Sequence, residues 1–321
     1  MSTRLILFLG LIAAIVVSWI GAFMLYDAAE LAERVGPLDD RQFSSLSLVA
    51  AGTGGGYENP ERRGPVMAVG WNKNVVLVDA GRSSTSALRI SSIPVAQPSL
   101  VLITNLLPLN TFGLADLIYT GWLEGRENGL RIIGPPGTKK MVEHLQQAYK
   151  EGATGLGRAL ALSKDGDSVQ VTEISGEYSE ELDGVTIRAT GLKGGPVPAL
   201  AWRFERGRRT LVISGTGWGS DQLVEFSRGV DLLVHEAVFV PPPSDVEEFG
   251  VLVPPERLER EAKLHTSIQE VGKLAKSAGA RGLVLVRMRP PPFYDFQIES
   301  VISQDYDGKL FLPEDGEVIR P

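Results

Sequence analysis

The chain has no cysteine among its 321 residues. Disulfides, iron–sulfur clusters, cysteine-ligated zinc and thiol catalysis are therefore excluded. Histidine is nearly as scarce: His144, His235 and His265 are the full set, so no centre needing more than three imidazoles can be built. Positive charge is in deficit, with 32 Lys and Arg against 39 Asp and Glu and a net charge of −7. Nucleic-acid binding rests mainly on Lys and Arg, so a broad phosphate-binding surface is not expected and nucleic acid is not favoured as a partner. What is present is a globular composition, 43% hydrophobic with both charge signs scattered, long enough for one large domain or two smaller ones.

One long apolar run stands apart. Leu5–Tyr26 is 22 residues without a charge, which as a helix would span roughly 33 Å, enough for the hydrocarbon core of a bilayer. Trp19 and Tyr26 lie towards its far end, where interfacial aromatics tend to sit. A cleaved signal peptide is the competing reading, with Ile20-Gly21-Ala22 as a cleavage site and Asp27-Ala28-Ala29 as a poor one. The run is long for that role, and an uncleaved anchor is favoured. Arg4 precedes the span while Asp27, Glu30 and Glu33 follow it, which puts the N-terminus in the cytoplasm and the main domain outside, in the periplasm. The organisation expected is an anchor over 1–26, a polar linker or helical extension over 27–44, and one domain over 45–321.

Within that domain, short β-rich runs alternate with turns: Leu46–Ala51, Val66–Trp71, Val75–Val78, Leu100–Thr104 and Leu130–Ile133. A second set follows at Val169–Ile174, Val185–Thr190, Ala199–Phe204, Thr210–Ser214, Asp231–Val234 and Leu283–Val286. Helical patterning covers Thr138–Tyr149 and Ser267–Ala278, and His144 falls mid-helix as a surface or boundary residue. Strand-rich halves with helices between them suit the α/β (α+β) class and a four-layer αβ/βα sandwich behind an N-terminal transmembrane helix. No short-period repeat is evident. Pro241-Pro242-Pro243 through Pro254-Pro255 reads as a stiff loop.

The segment "LVLITNLLPLNTFGLADLIYTGW" (100–122) organises the rest: an apolar strand, a polar loop from Thr104 to Thr111, then a helix. It resembles the main metal-binding segment of the metallo-β-lactamase superfamily, in its ribonuclease Z/arylsulfatase-like branch. The resemblance extends to the Gly turn "AAGTGGGYENPERRG" (50–64), to "VLVDAG" (76–81), "VISGTGWGSD" (212–221), "DLLVHEA" (231–237) and "HTSIQEVGKLAKSAGARGLVLV" (265–286), and to "LVLVRMRPPP" (283–292). It implies the αβ/βα fold and, in working enzymes, a two-metal hydrolytic centre of five His and two Asp. Laid on that frame, the ligand positions are Asn105, Leu107, Leu109, Asn110, Gly194, Thr216 and Arg287. None supplies an imidazole or carboxylate, so no metal and no cofactor is expected. Asp79, which in the family would orient a ligating His, is left with a loop-capping role.

The resemblance also implies a Glu and His near the leaving group, carried here by His235, Glu236 and His265. They form a residual acid/base constellation or a buried hydrogen-bonded pair joining two loops, and the second reading is favoured. The former site is expected to be a cavity lined by Asn105, Asn110, Thr216, His235, His265 and Arg287. The leading reading is a membrane-anchored pseudoenzyme that binds a small anion through Arg287, or a protein partner. The alternative is a metal-dependent hydrolase, a ribonuclease Z-like phosphodiesterase or esterase, with a remodelled site built from Asp, Glu and the two loop histidines His235 and His265. The Gly/Pro-rich, Lys-bearing arm of ribonuclease Z enzymes is not evident between Tyr149 and Val185.

Overall fold

The computed structural model describes residues 3–56, 59, 61–195, 197–215, 219–239, 254–289 and 295–321. The predicted apolar span lies inside one helix, α1 (Thr3–Val35), of which Leu9–Leu31 is long and apolar enough to cross a membrane and has no buried residue. The helix runs on through the first part of the predicted linker and stops before Gly36-Pro37, a pair that cannot continue it. The chain divides into two compact units, Met1–Asp39 and Asp40–Pro321. The folded domain thus begins a few residues ahead of the expected boundary, because its first strand, β1 (Phe43–Gly52), is longer than its apolar run.

The domain is built on two seven-stranded sheets. The first carries β1, β2 (Val66–Asn72), β3 (Asn74–Val78), β4 (Leu100–Leu102), β5 (Leu130–Gly134) and β6 (Val169–Glu173), with β14 (Glu317–Ile319) on the outer edge of β1. The second runs β7 (Tyr178–Leu182), β8 (Val185–Leu192), β9 (Ala199–Arg206), β10 (Arg209–Ser214), β11 (Leu232–Val238), β12 (Gly282–Arg289) and β13 (Lys309–Phe311). In both sheets the first three pairings are antiparallel and the last three parallel. This two-fold likeness of the halves has no counterpart in the sequence, since it lives in strand order and not in shared residues.

Three cores account for the layers. Between the sheets, Leu48, Met67, Trp71, Val76 and Leu102 of the first meet Ile187, Trp202, Phe204, Ile213, Val234 and Val284 of the second. The outer face of the first sheet packs Val49, Ala68 and Leu77 against helices α2 (Ser84–Ile90), α4 (Leu114–Leu123) and α5 (Thr138–Leu160). The second sheet sets Val212, Leu233 and Leu285 against α6 (Asp221–Phe226), α8 (Ile268–Ala278) and α9 (Asp295–Ile302). Strands buried on both faces read as unbroken apolar runs, which is why they were legible. The polar edge strand β7 and the short β13 and β14 carry no such run.

α5 exceeds its predicted length by a full eleven residues, because Gly152, Gly155 and Gly157 break the helical pattern without breaking the helix. α8 matches expectation and has a capping box between Ser267 and Glu270. Most of the Pro-rich stretch lies outside the described residues, and its end, Pro254-Pro255, opens α7 (Pro255–Ala262).

Candidate functional site

Polar residues singled out in the sequence, joined by Ser214, gather where parallel strands end. Asp79 follows β3, Thr104–Asn110 follows β4, Ser214 ends β10, His235 and Glu236 lie on β11, and Arg287 is near the end of β12. Loops at such strand ends are where α/β sheets place their chemistry. Here the ends of both sheets converge.

The centre is an ion pair. Arg287 Nη2 donates to Asp79 Oδ2 at 2.7 Å, and both side chains are fully buried. Asp79 also accepts from the Thr104 backbone N–H at 2.8 Å and from its hydroxyl at 2.8 and 2.9 Å. Burial pushes the Asp79 carboxyl up to about 6, against the pull of Arg287 and Thr104; at neutral pH it remains the carboxylate. Asp79 therefore does more than cap a loop: it is the counter-ion of Arg287. Arg287 in turn donates through Nη1 to the Ser214 carbonyl at 3.2 Å and through its backbone N–H to the Thr53 carbonyl at 2.7 Å. The charge that the sequence reading assigns to an external anion is met inside the fold.

Asn105 and Asn110 bond to each other, with Asn110 Nδ2 donating to Asn105 Oδ1 at 2.8 Å, while the same oxygen accepts the Leu107 N–H at 3.0 Å. That is an Asx-type turn leading into the one-turn helix α3 (Pro108–Thr111). Both Asn are buried, and Leu107 and Leu109 are half-buried. The loop is stitched to the Asp79 turn by Ala80 N–H to Asn110 O and Gly113 N–H to Ala80 O, both 2.8 Å. A Cβ on Gly113 would meet the Gly81 carbonyl at 2.1 Å, so the close approach requires glycine there. Gly194 is exposed on a loop and is not brought to the site. Thr216 lies outside the described residues.

A second network sits beside the first. His265 Nδ1 is 2.6 Å from Glu236 Oε1, both buried. His235 Nδ1 bonds to the Ser214 hydroxyl and its Nε2 to the Thr266 hydroxyl at 2.8 Å, while Thr266 Oγ1 also accepts the Gly219 N–H at 2.7 Å. These bonds, with Val238 N–H to Thr266 O at 2.9 Å, tie β11 to the turn before α8. The sequence did not mark Ser214 or Thr266; a hydroxyl beside a buried His is a weak signal until the fold pairs them. Asp315, also missed, pins the Gly turn by accepting from Thr53 N–H and Oγ1 at 2.8 Å each and from Arg63 N–H at 2.6 Å.

Burial lowers the His235 pKa from 6.5 to about 4, helped by the charges of Arg287 and His265 and resisted by Glu236. The ring is neutral at pH 7, and its stabilising contribution is lost as pH falls from about 6.5 towards 4. Asp79, with a raised pKa, contributes in the opposite sense over about pH 4–6. His235→Gln is therefore expected to make thermal unfolding less acid-sensitive between pH 7 and pH 4.5, by up to about 3 kcal/mol. Parallel melting profiles of the two proteins check this, and identical pH slopes would refute it.

A pocket of about 480 Å³ reaches this second network, lined by Gly219, Ser220, Asp221, Lys263, His265 and Thr266 among others. A wider hollow of about 940 Å³ lies along α4 and α5, beside Trp122, Lys150 and Arg158, and touches none of the residues above. Two amides, two aliphatic side chains, an exposed glycine and a paired cation do not fit a divalent metal. Among the described residues, no group of three or more His, Asp or Glu is placed to hold one.

No protein-family model matches the chain. Among curated relatives, the ribonuclease Z of Mycobacterium bovis (strain BCG / Pasteur 1173P2) is 27% identical over 279 residues, covering 84% of this chain and 96% of that protein. The ribonuclease Z of Mycobacterium sp. (strain KMS) is 29% identical over 252 residues, covering 77% and 85%. Among solved structures, the metallo-β-lactamase fold protein YhfI from Bacillus subtilis superposes with a TM-score of 0.66 at 19% identity, covering 86% of this chain and all of that one. Human tRNase Z, short form, gives 0.64 at 19% identity, covering 85% and 98%. The layer order is that of the metallo-β-lactamase fold.

Proposed function

We propose that this chain, which has the metallo-β-lactamase fold and a sequence of the ribonuclease Z-like branch, is a pseudoenzyme in which an internal ion pair replaces the dinuclear metal centre. The observation that carries the reading is the buried Arg287–Asp79 contact at 2.7 Å, formed from the position of a family ligand and the position of its orienting carboxylate. A divalent ion beside a guanidinium is opposed by charge, and three histidines cannot supply the five imidazoles of the family centre. The domain then works by binding. Because Asp79 already answers Arg287, a protein partner is favoured over a small anion as its target. The apolar helix anchors it in a membrane, with Arg4 inside and Asp27, Glu30 and Glu33 outside, so the domain faces the periplasm.

Purified full-length protein in mild detergent, challenged with zinc and manganese and then desalted, is expected to retain almost no metal by elemental analysis. It is also expected to hydrolyse phosphodiester and ester test substrates at the background rate. One tightly held metal per chain, with turnover, would overturn the reading.

A second reading is favoured by the His265–Glu236 pair at the edge of the 480 Å³ pocket: a hydrolase with a remodelled site. It requires phosphodiester or ester cleavage, with zinc, manganese or iron supplied, that disappears in His265→Ala; background hydrolysis under those conditions removes it.

A further inference from the structure

We infer that the Arg287 guanidinium is the built-in cation of this fold, occupying a niche whose chemistry selects a planar guanidinium and not a metal ion. A carboxylate as deeply buried as Asp79 needs an opposite charge beside it. Arg287 supplies that charge and, unlike a monodentate cation, also supplies directed N–H bonds to Asp79 Oδ2 and to the Ser214 carbonyl, at 2.7 and 3.2 Å. With its own N–H on the Thr53 carbonyl, this one residue joins the ends of β1, β3, β10 and β12. A multiply ligated ion performs the same task, drawing loops of both sheets to one point.

The backbone is bent to allow it. Asp79 has φ +64° and Arg287 has φ +58°, left-handed conformations that residues other than glycine seldom adopt. Both partners of the ion pair adopt this conformation, Asp79 more readily than Arg287, and it aims two side chains from different sheets at each other. The acceptors left behind on removing the Arg287 head, one carboxylate oxygen and one carbonyl oxygen, match the N–H edges of a guanidinium ion. They do not make a coordination shell.

The inference deepens the proposed loss of the metal centre but is read through stability, so hydrolytic activity found elsewhere in the domain would leave it standing. In the full chain, Arg287→Ala is expected to lower Tm by about 10 °C or more, as for one half of a buried ion pair. Millimolar guanidinium chloride should raise the Tm of that variant by several degrees, whereas sodium chloride, zinc or manganese at matched ionic strength should not. The same guanidinium should leave the wild type unchanged or slightly less stable, and chelators should not shift it. Should Arg287→Ala fail to fold, Asp79→Asn/Arg287→Met, which removes both charges, is expected to fold and to lie closer to wild type than Arg287→Lys or Asp79→Asn does alone. An unchanged Tm for Arg287→Ala, equal response of both proteins to guanidinium, a chelator-sensitive wild type, or additive single and double variants would each overturn the inference.

Discussion

Asp79→Ala is expected to destabilise the domain by about 3–5 kcal/mol, a large share of the stability of an ordinary folded domain. The substitution leaves the fully buried Arg287 charge without its carboxylate and removes the acceptor of the Thr104 N–H and hydroxyl. It also places Ala at φ +64°, which adds backbone strain to the electrostatic loss. Asp79→Asn separates these effects, because Asn tolerates the left-handed conformation and can keep the Thr104 bonds, yet it turns an amide or a neutral oxygen towards Arg287. Its loss should therefore be mostly the charge term and only modestly smaller. Urea unfolding with unchanged m-values would measure both. A loss below about 1 kcal/mol for Asp79→Ala would show that the pair is neutral to stability and would remove it as the centre of the site.

Trp202→Ala is expected to cost a similar amount, about 3–5 kcal/mol, through a different cause. Trp202 is fully buried on β9, packs edge-on to Tyr178 at 6.3 Å, and lies in the core between the sheets. Its indole Nε1–H reaches across to the Ile103 carbonyl of the other sheet at 3.3 Å. Ala leaves a void that close-packed strands cannot collapse into, and it leaves that carbonyl without its indole. Trp202→Phe keeps most of the volume and should lose only about 1–2 kcal/mol. Equal losses for the two variants would mean that the cross-sheet bond, not the packing, dominates.

The two sites meet in the same neighbourhood. Ile103, whose carbonyl receives Trp202, directly precedes Thr104, which bonds Asp79. Leu200 N–H donates to the Thr104 carbonyl at 2.7 Å, so β9 is held against the same loop. Packing and ion pair are expected to couple, and a Trp202→Phe/Asp79→Asn double variant measures by how much.

Much of this protein was determined by its sequence alone. Strands such as Val66–Trp71 and Leu283–Val286 are apolar on both faces because each sheet is covered twice, and an unbroken apolar run announces that burial directly. The span in α1 is equally direct, since length and lack of charge are properties of the chain itself. That the chain cannot supply five imidazoles followed from counting, because it has three histidines. The tertiary structure alone decided which buried polar groups pair. Asp79 and Arg287 are 208 positions apart, and nothing local to either names the other; only the closure of two sheets brings them to 2.7 Å. The same holds for Ser214, His235 and Thr266, whose hydroxyls and ring become a network through the pairing of β10, β11 and the turn before α8. Local pattern reports which side chains avoid water. Which buried polar groups answer one another depends on distances that only the closed fold sets.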